Sequence, residues 1–183
     1  MKKIILTVFA ASSLLLYSTP SFALLNFSVG VPLSHTFTGK YHDGEEVKSD
    51  GVSGAFIQVG LPLLPGIGMD SYKTKLKCAS CDKELSVSTT MYNLYYLLPI
   101  PIINLTIGLG TGKTQLESGG VAGDDGTATQ FYTSIGVHLI PLFDIHLSYR
   151  SISSKIESTS GDDKGKKDDV GGNVMGLGIG FNF

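Results

Sequence analysis

Four polar side chains recur at every second position of one short segment. They are Asp144, His146, Ser148 and Arg150, and apolar or aromatic residues separate them. Because a β-strand has a side-chain period of two, we expect all four on one face of a strand. A carboxylate close to imidazoles can bind a metal ion or relay protons, so this face carries the chemistry to be explained.

A second histidine extends this set. His138 lies on the same face of the preceding predicted strand, and a hairpin loop over 141–143 places it opposite His146, with Asp144 one step below. Two roles stay open: a metal or proton-relay site, or a solvated hydrogen-bonding network that fills the interior of the fold. We expect the network, formed by His138, Asp144, His146 and Arg150, with no metal and no other cofactor.

The chain begins with the pattern of a secretory signal peptide. Two lysines precede an apolar run over 4–16, and small residues stand at Ser21 and Ala23. The run is too short for a membrane-spanning helix, which needs about 20 residues. We therefore expect cleavage of 1–23, which leaves 24–183 as a single domain.

Charged residues are confined to patches. The net charge of −2 offers nothing to a polyanionic partner such as nucleic acid. No Asp, Glu, Lys or Arg occurs in 85–112 or in 126–143. A water-soluble β-protein scatters Lys and Glu along its exposed strand faces. The long uncharged stretches therefore favour strands that face lipid.

Alternation of apolar and polar residues predicts eight strands. They run over about 25–38, 51–63, 67–77, 86–98, 103–114, 130–139, 143–150 and 174–183. On the first, Phe27, Val29 and Phe37 share the apolar face. In the third, the apolar phase slips, which predicts a β-bulge near Asp70. In the fourth, we expect four residues to face outward: Tyr92, Leu94, Tyr96 and Leu98.

The connections between these strands alternate in kind. Short turns containing proline follow strands two, four and six, and long polar loops follow strands one, three, five and seven. Eight strands with both termini on the short-turn side are typical of a transmembrane β-barrel with short periplasmic turns and four longer extracellular loops. The alternative is a soluble lipocalin-like barrel with the apolar face inside. Its outer face would be Gly, Ser, Thr and Asn with few charges, so the sequence favours the membrane barrel.

The C-terminal residues carry a family resemblance. Apolar residues alternate up to Phe181 and the terminal Phe183. This ending resembles the signature recognised by the outer-membrane assembly machinery of Gram-negative bacteria. In size, strand count and topology the chain resembles the small eight-stranded outer-membrane proteins, the group of OmpX, OmpW and the OmpA transmembrane domain. The resemblance implies an all-β, antiparallel, up-and-down barrel in the outer membrane, with periplasmic termini and Phe181 and Phe183 as assembly signal.

The interior of such a barrel decides between two functions. Eight strands leave an interior only just wide enough for inward side chains. Many predicted inward positions are glycine, which either makes room for Phe56, Tyr95 and Tyr132 or opens a water-filled path. We expect a filled interior and a structural or surface-interaction role. The alternative is a narrow, porin-like channel for water, ions or small solutes.

A lipid-modifying enzyme is a second alternative. The sequence His146-Leu147-Ser148 resembles the His-x-Ser arrangement of outer-membrane lipid A deacylases. However, His146 lies close to a predicted periplasmic turn and faces the interior, whereas those enzymes act at the outer leaflet. We therefore expect no enzymatic activity and no catalytic residue.

The remaining expectations concern the loops. Cys78 and Cys81 lie in the second outer loop without two further ligands for zinc nearby, so in an oxidising envelope we expect a local disulfide. We expect contact with outer-membrane lipid, lipopolysaccharide and the assembly machinery, and contact of the charged loops with a host or phage surface. We expect a monomer.

Overall fold

The computed structural model of the protein describes most of the chain from Leu25 to Asn182. The residues outside the description are 1–24, 41–43, 45, 62–63, 78–83, 101–102, 119–120, 141, 159–163 and 183, with the side chains of 99, 121–122 and 138–140. The predicted signal peptide, both cysteines and Phe183 therefore lie outside the described residues. In the described part, no helix is long and apolar enough to cross a membrane.

The described residues form nine β-strands. They are β1 (Asn26–Phe37), β2 (Ser49–Gly60), β3 (Gly66–Leu76), β4 (Leu85–Pro99), β5 (Ile103–Ser118), β6 (Val121–Ile140), β7 (Phe143–Glu157), β8 (Lys167–Asp169) and β9 (Gly172–Asn182). Strands β1 to β7 and β9 pair in an antiparallel ring, which closes because β9 pairs with both β7 and β1. The short β8 pairs with the C-terminal end of β7, at Lys155, Ile156 and Glu157. The predicted all-β, eight-stranded antiparallel barrel is confirmed.

The outer wall is apolar near the short-turn end of the barrel. Tyr92 and Leu94 of β4 are 62% and 59% exposed, so the predicted outward face of this strand is confirmed for them. Leu109 and Phe131 are 67% and 50% exposed on the neighbouring strands. Residues at the intervening positions, such as Gln130, are buried. An apolar outer wall with polar inward side chains is the pattern of a membrane β-barrel.

The polarity of the two faces inverts toward the long-loop end. There apolar side chains join the inward face and are buried, as at Leu76, Val87 and Ile156, beside small buried polar ones such as Thr74, and outward neighbours such as Lys73 are exposed. A wall in lipid is stable with apolar groups outside, whereas a wall in water needs them inside. We call the inverted part the collar, which consists of the described residues within 34–54, 71–90, 111–129 and 151–173, and the remainder of the barrel strands the belt.

This inversion corrects the prediction for β3. From Ile67 to Thr74, β3 pairs with both neighbours without a register shift, so the predicted β-bulge near Asp70 is wrong. Asp70, Tyr72 and Leu76 all point inward and are buried. The apparent slip of the apolar phase is the point at which the inward face changes from polar to apolar.

A bulge lies instead in β1. Its register against β9 shifts between Pro32 and Ser34. An extra residue exchanges the faces of all side chains that follow it. His35 and Phe37 therefore point inward, 5% and 9% exposed, and the prediction that Phe37 shares the outward face was wrong.

The connection between β5 and β6 also differs from its prediction. β5 extends to Ser118 and β6 begins at Val121, so most of the expected polar loop is strand. Lys113 pairs with Asp125 across this hairpin at 3.4 Å, with both side chains exposed. Charged residues are compatible with strands here because the collar wall carries polar groups on its outer face.

Candidate functional site in the barrel interior

An ion pair between β7 and β3 crosses the interior. Arg150 Nε donates to Asp70 Oδ2 at 2.9 Å, and Arg150 Nη2 donates to Asp70 Oδ1 at 3.3 Å. The two strands lie on opposite sides of the ring, since three strands separate them in either direction. The side chains are 2% and 0% exposed. Such a two-point contact fixes the guanidinium plane as well as its position.

Polar neighbours complete the hydrogen bonding of the pair. Gln130 Nε2 donates to Asp70 Oδ2 at 2.6 Å and to Asn93 Oδ1 at 2.7 Å. Arg150 Nη1 donates to Ser148 Oγ at 2.5 Å. A buried charge is tolerated only when it is paired and hydrogen-bonded in this way. We call these five residues the Arg150 cluster.

Aromatic rings close the space around the guanidinium. Arg150 Cζ lies 3.5 Å from the ring centroid of Phe56 and 5.3 Å from that of Tyr132, within the range of cation–π attraction. A Cβ at Gly108 would lie 2.2 Å from Tyr132 Cε1, and one at Gly176 would lie 2.5 Å from Phe56 Cε2. The prediction that inward glycines make room for large inward side chains is confirmed at these positions.

Two apolar clusters fill the interior on the collar side. The first consists of Phe56, Tyr72, Met91, Ala128, Ile152 and Val174, and the second of Phe37, Val47, Leu76, Val87, Ile156 and Val170. Val47 precedes β2 and Val170 follows β8, so segments between the strands add to the second cluster. Apolar side chains therefore occupy part of the collar interior, as they do in the core of a soluble domain.

A separate polar group lies at the short-turn end. Asp144 accepts hydrogen bonds from Asn104 Nδ2 at 2.9 Å and Asn182 Nδ2 at 3.0 Å, and His146 Nδ1 lies 3.2 Å from its Oδ1. An adjoining polar cavity of about 20 Å³ includes Ser28 in its lining. This volume holds about one water molecule.

The predicted opposition of His138 and His146 is wrong. His138 pairs with Asp144, and His146 pairs with Gly136. The hairpin is shorter than expected, because Ile140 pairs directly with Phe143 and the register then shifts before His138. The side chain of His138 lies outside the description. Among described residues, no three His, Cys, Asp or Glu side chains are grouped as a metal site requires.

The structure thus divides the predicted set between two places. Asp144 and His146 contact each other near the short turns, whereas Arg150 lies with Asp70 in the middle of the barrel. Asp70, Asn93 and Gln130 were not predicted as partners of Arg150. A usable signal was present, since the charged residues at belt positions of the strands are Asp70, Asp144 and Arg150, and Arg150 is the one cation among them.

Comparison with known proteins supports the fold. No protein-family model and no curated protein matches the sequence. The crystal structure of Neisserial surface protein A (NspA) matches with a TM-score of 0.59 and 13% identity, over 87% of this chain and 97% of that chain. Ail, the attachment invasion locus protein of Yersinia pestis, matches over the same shares with a TM-score of 0.46 and 18% identity. OmpT of Vibrio cholerae gives 0.32 and 16%, over 89% of this chain and 53% of that chain.

The likeness to NspA concerns the fold. Together with the closed ring of eight strands, it shows that the chain has the fold of the small eight-stranded outer-membrane barrels. This agrees with the resemblance drawn from strand count, topology and terminus, and no single family within that class is selected.

Proposed function

We propose that the protein is a closed outer-membrane barrel with a structural or surface-interaction role. The observation that carries this proposal is the Arg150–Asp70 pair, which spans the interior between Phe56 and Tyr132. A conducting channel needs a continuous wet path. Here an ion entering from the short-turn end meets a buried ion pair and then two apolar clusters.

The outer wall supports a position in the membrane. Exposed apolar side chains surround the belt, and outer-membrane barrels carry such a band about 25 Å tall. At its short-turn edge, the rings of Phe143 and Phe181 lie 5.1 Å apart, and Phe27 lies 6.4 Å from Phe181. Aromatic residues of this kind flank the apolar band at the interfaces. In this placement the short turns and both termini are periplasmic, and the collar is outside the cell.

A narrow channel is the less favoured function. The polar cavity beside Asp144 has a volume of only about 20 Å³. An enzymatic role is disfavoured by the contacts of the His-x-Ser segment. Ser148 Oγ contacts Arg150 and donates to the carbonyl of Gly176 at 3.2 Å, while His146 contacts Asp144. A serine nucleophile needs its base within hydrogen-bond reach.

Liposome swelling tests the closed interior. Vesicles containing the refolded protein are diluted into isotonic solutions of sugars of increasing size, beside protein-free vesicles and vesicles with a known porin. We expect swelling no faster than in protein-free vesicles. Swelling that falls steadily with the size of the sugar would establish the channel instead.

Labelling of intact cells tests the orientation of the collar. A membrane-impermeant amine reagent reaches Lys113 and Lys155 only if the collar is outside the cell. We expect both lysines to be modified in whole cells, with a periplasmic protein unmodified as the integrity control. Modification only after cell lysis would reverse the proposed orientation and remove the surface role.

A further inference from the structure

The short connections at one end of the barrel are apolar throughout. They are 61–65 between β2 and β3, 100–102 between β4 and β5, and 141–142 between β6 and β7. Their ten residues are all leucine, isoleucine or proline. The connection 38–48 at the other end of the barrel carries five charged residues. Turns in water are rich in glycine, asparagine, aspartate and serine, so the composition of the three short connections does not suit water.

The described leucine and isoleucine side chains of these connections are exposed. Leu61 and Leu64 are 50% and 54% exposed, Ile100 is 40% exposed and Leu142 is 54% exposed. We call these four residues the apolar rim. They lie in stretches of the sequence without Asp, Glu, Lys or Arg, namely 51–69, 85–112 and 126–143. A group of exposed apolar side chains without charges marks a surface that contacts lipid or another protein.

The main chain of the connections is suited to surroundings without water. Leu64 N donates to Leu61 O at 3.2 Å. At another connection, Asn182 N donates to Leu142 O at 3.1 Å. Four of the ten residues are proline, which has no N–H. Because main-chain polar groups must be bonded within the protein where lipid replaces water, both features lower the cost of placing these connections in lipid.

Polar side chains at this end of the barrel face the interior and bond one another. Asn26 Nδ2 donates to Asn182 Oδ1 at 2.7 Å. Asn182 Nδ2 in turn donates to Asp144 Oδ2 at 3.0 Å. These polar groups are satisfied inside the barrel, and the apolar rim continues the apolar outer wall of the belt.

The belt alone is shorter than the apolar band of an outer-membrane barrel. On β5 the belt residues are 103–110. At about 3.3 Å per residue and a strand tilt of about 40°, they span about 20 Å along the barrel axis, whereas the band is about 25 Å tall. The outward residues above the belt on this strand are polar, as at Thr111 and Lys113, so they do not supply the missing height. The missing height of about 5 Å therefore lies at the short-turn end, where the apolar rim is.

We propose that the apolar rim is buried in the membrane, at the boundary between the acyl chains and the head groups of the leaflet at the short-turn end. The partner of this surface is lipid, which the rim contacts through acyl chains. Burial of the rim completes the apolar band and fixes the depth of the barrel, and with it the height of the collar above the opposite face of the membrane. This inference rests on the proposed position of the belt in the membrane and extends it to the turns.

Single tryptophans test the surroundings of the rim. The chain contains no tryptophan, so an introduced one reports only its own position. Leu64→Trp and Leu142→Trp probe the rim, with Leu147→Trp in the belt and Ser153→Trp in the collar as references. The refolded variants are placed in phosphatidylcholine vesicles, with bromine on the acyl chains or with iodide in the water on both sides. We expect the rim tryptophans to emit at shorter wavelength than Ser153→Trp, to be quenched by bromine as Leu147→Trp is, and to resist iodide. Quenching by iodide to the extent seen for Ser153→Trp would overturn the proposal.

A measurement on the wild-type protein avoids the preference of tryptophan itself for membrane interfaces. Methyl groups of Leu, Ile and Thr are labelled for NMR in lipid nanodiscs, and a water-soluble gadolinium chelate broadens the signals of methyls that water reaches. We expect the methyls of Leu64, Ile100 and Leu142 to stay as sharp as those of Leu147, while the outward methyl of Thr127 in the collar broadens. Rim methyls that broaden as much as Thr127 would contradict burial in lipid.

Combined outcomes separate this inference from the proposed function. Rim tryptophans in water together with Leu147→Trp in lipid would remove the rim proposal and keep the membrane barrel. Rim tryptophans that resist both iodide and bromine would show that protein, such as a second copy of the chain, covers the rim, and the lipid proposal would fall. Solute-dependent swelling together with a rim quenched by bromine would remove the closed-barrel role and keep the buried rim.

Discussion

Arg150 and Asp70 meet in the middle of the barrel, from strands on opposite sides of the ring, with Nε and Oδ2 2.9 Å apart. Neither side chain is more than 2% exposed. The pair links the two halves of the wall through the interior. Because the two charges lie out of water, each depends on the other for its stability.

Removal of one partner of this pair is expected to destabilise the barrel strongly. Arg150→Met leaves the Asp70 carboxylate buried without a counterion, which costs about 3–5 kcal/mol. The free energy of unfolding, followed in urea by circular dichroism in micelles, measures the loss. Lys113→Gln, which breaks an exposed pair, is the control and is expected to change stability by less than about 1 kcal/mol.

A double variant distinguishes the ion pair from simple packing. In Arg150→Met with Asp70→Asn no buried charge remains unpaired, so we expect a smaller loss than the sum of the single variants. Strictly additive losses would show that the two side chains act independently.

The change of environment between belt and collar predicts a position-dependent effect of lysine on one strand face. Leu147 and Ser153 both point outward on β7, Leu147 in the belt and Ser153 in the collar. Leu147→Lys places a charge in lipid and is expected to destabilise the barrel by about 2–4 kcal/mol. Ser153→Lys is expected to change stability by about 0.5 kcal/mol or less. Refolding into lipid vesicles with urea titration compares them, and equal effects would contradict the proposed membrane boundary.

The contact of Gly108 with Tyr132 predicts a rescue experiment. Gly108→Ala forces a Cβ against a ring atom that would lie 2.2 Å away, so we expect a loss of about 1–3 kcal/mol. Tyr132→Leu removes the ring, so we expect Gly108→Ala to destabilise the Tyr132→Leu variant much less than it destabilises the parent protein. The free energies of unfolding of the parent, the two single variants and the double variant measure this difference. If Gly108→Ala alone has no effect, the interior is less filled than the structure shows.

The carboxyl of Glu117, which lies in the collar, is expected to have a measurably lowered pKa. Lys73 Nζ donates to Glu117 Oε2 at 2.6 Å, and Ser88 also donates to Glu117. The Lys73 ammonium and the Ser88 hydroxyl hold the pKa of the Glu117 carboxyl below its usual range. A depressed pKa stabilises the fold above the unfolded pKa of about 4.3, and this contribution is lost as the pH falls through the folded pKa.

Carbon-13 NMR of the labelled carboxyl in micelles measures this pKa directly. We expect Lys73→Gln to raise the Glu117 midpoint toward about 4.3 and Lys113→Gln to leave it unchanged. Because the pair is at the surface, we expect the accompanying change in stability to be at most about 1 kcal/mol. A midpoint that does not respond to Lys73→Gln would show that the contact is absent in solution.

Local alternation made the strands predictable. In stretches such as 103–114 the period-two pattern is regular, and the faces found on β5 are those that it predicts. The pattern misled where the environment changed along a strand. On β3 the inward face carries polar Asp70 and then aromatic Tyr72. In the sequence, this change of polarity along one face looks the same as a bulge that moves the apolar residues to the other face.

The contacts across the interior could not be predicted from alternation along single strands. Which residue of β3 reaches Arg150 depends on the stagger of all the strands around the ring, and alternation fixes only the face. The partner of His138 could not be predicted from alternation either. The hairpin before Phe143 is shorter than expected, and the resulting two-residue change of register pairs His138 with Asp144 instead of His146.

Single-channel recording in a planar bilayer tests the closed interior most directly. The account predicts that the refolded wild-type protein, with insertion verified by its shifted mobility on unboiled gels, shows no steady conductance at any salt concentration. A steady conductance that rises with salt concentration would contradict a barrel sealed by the Arg150–Asp70 pair and the apolar clusters above it.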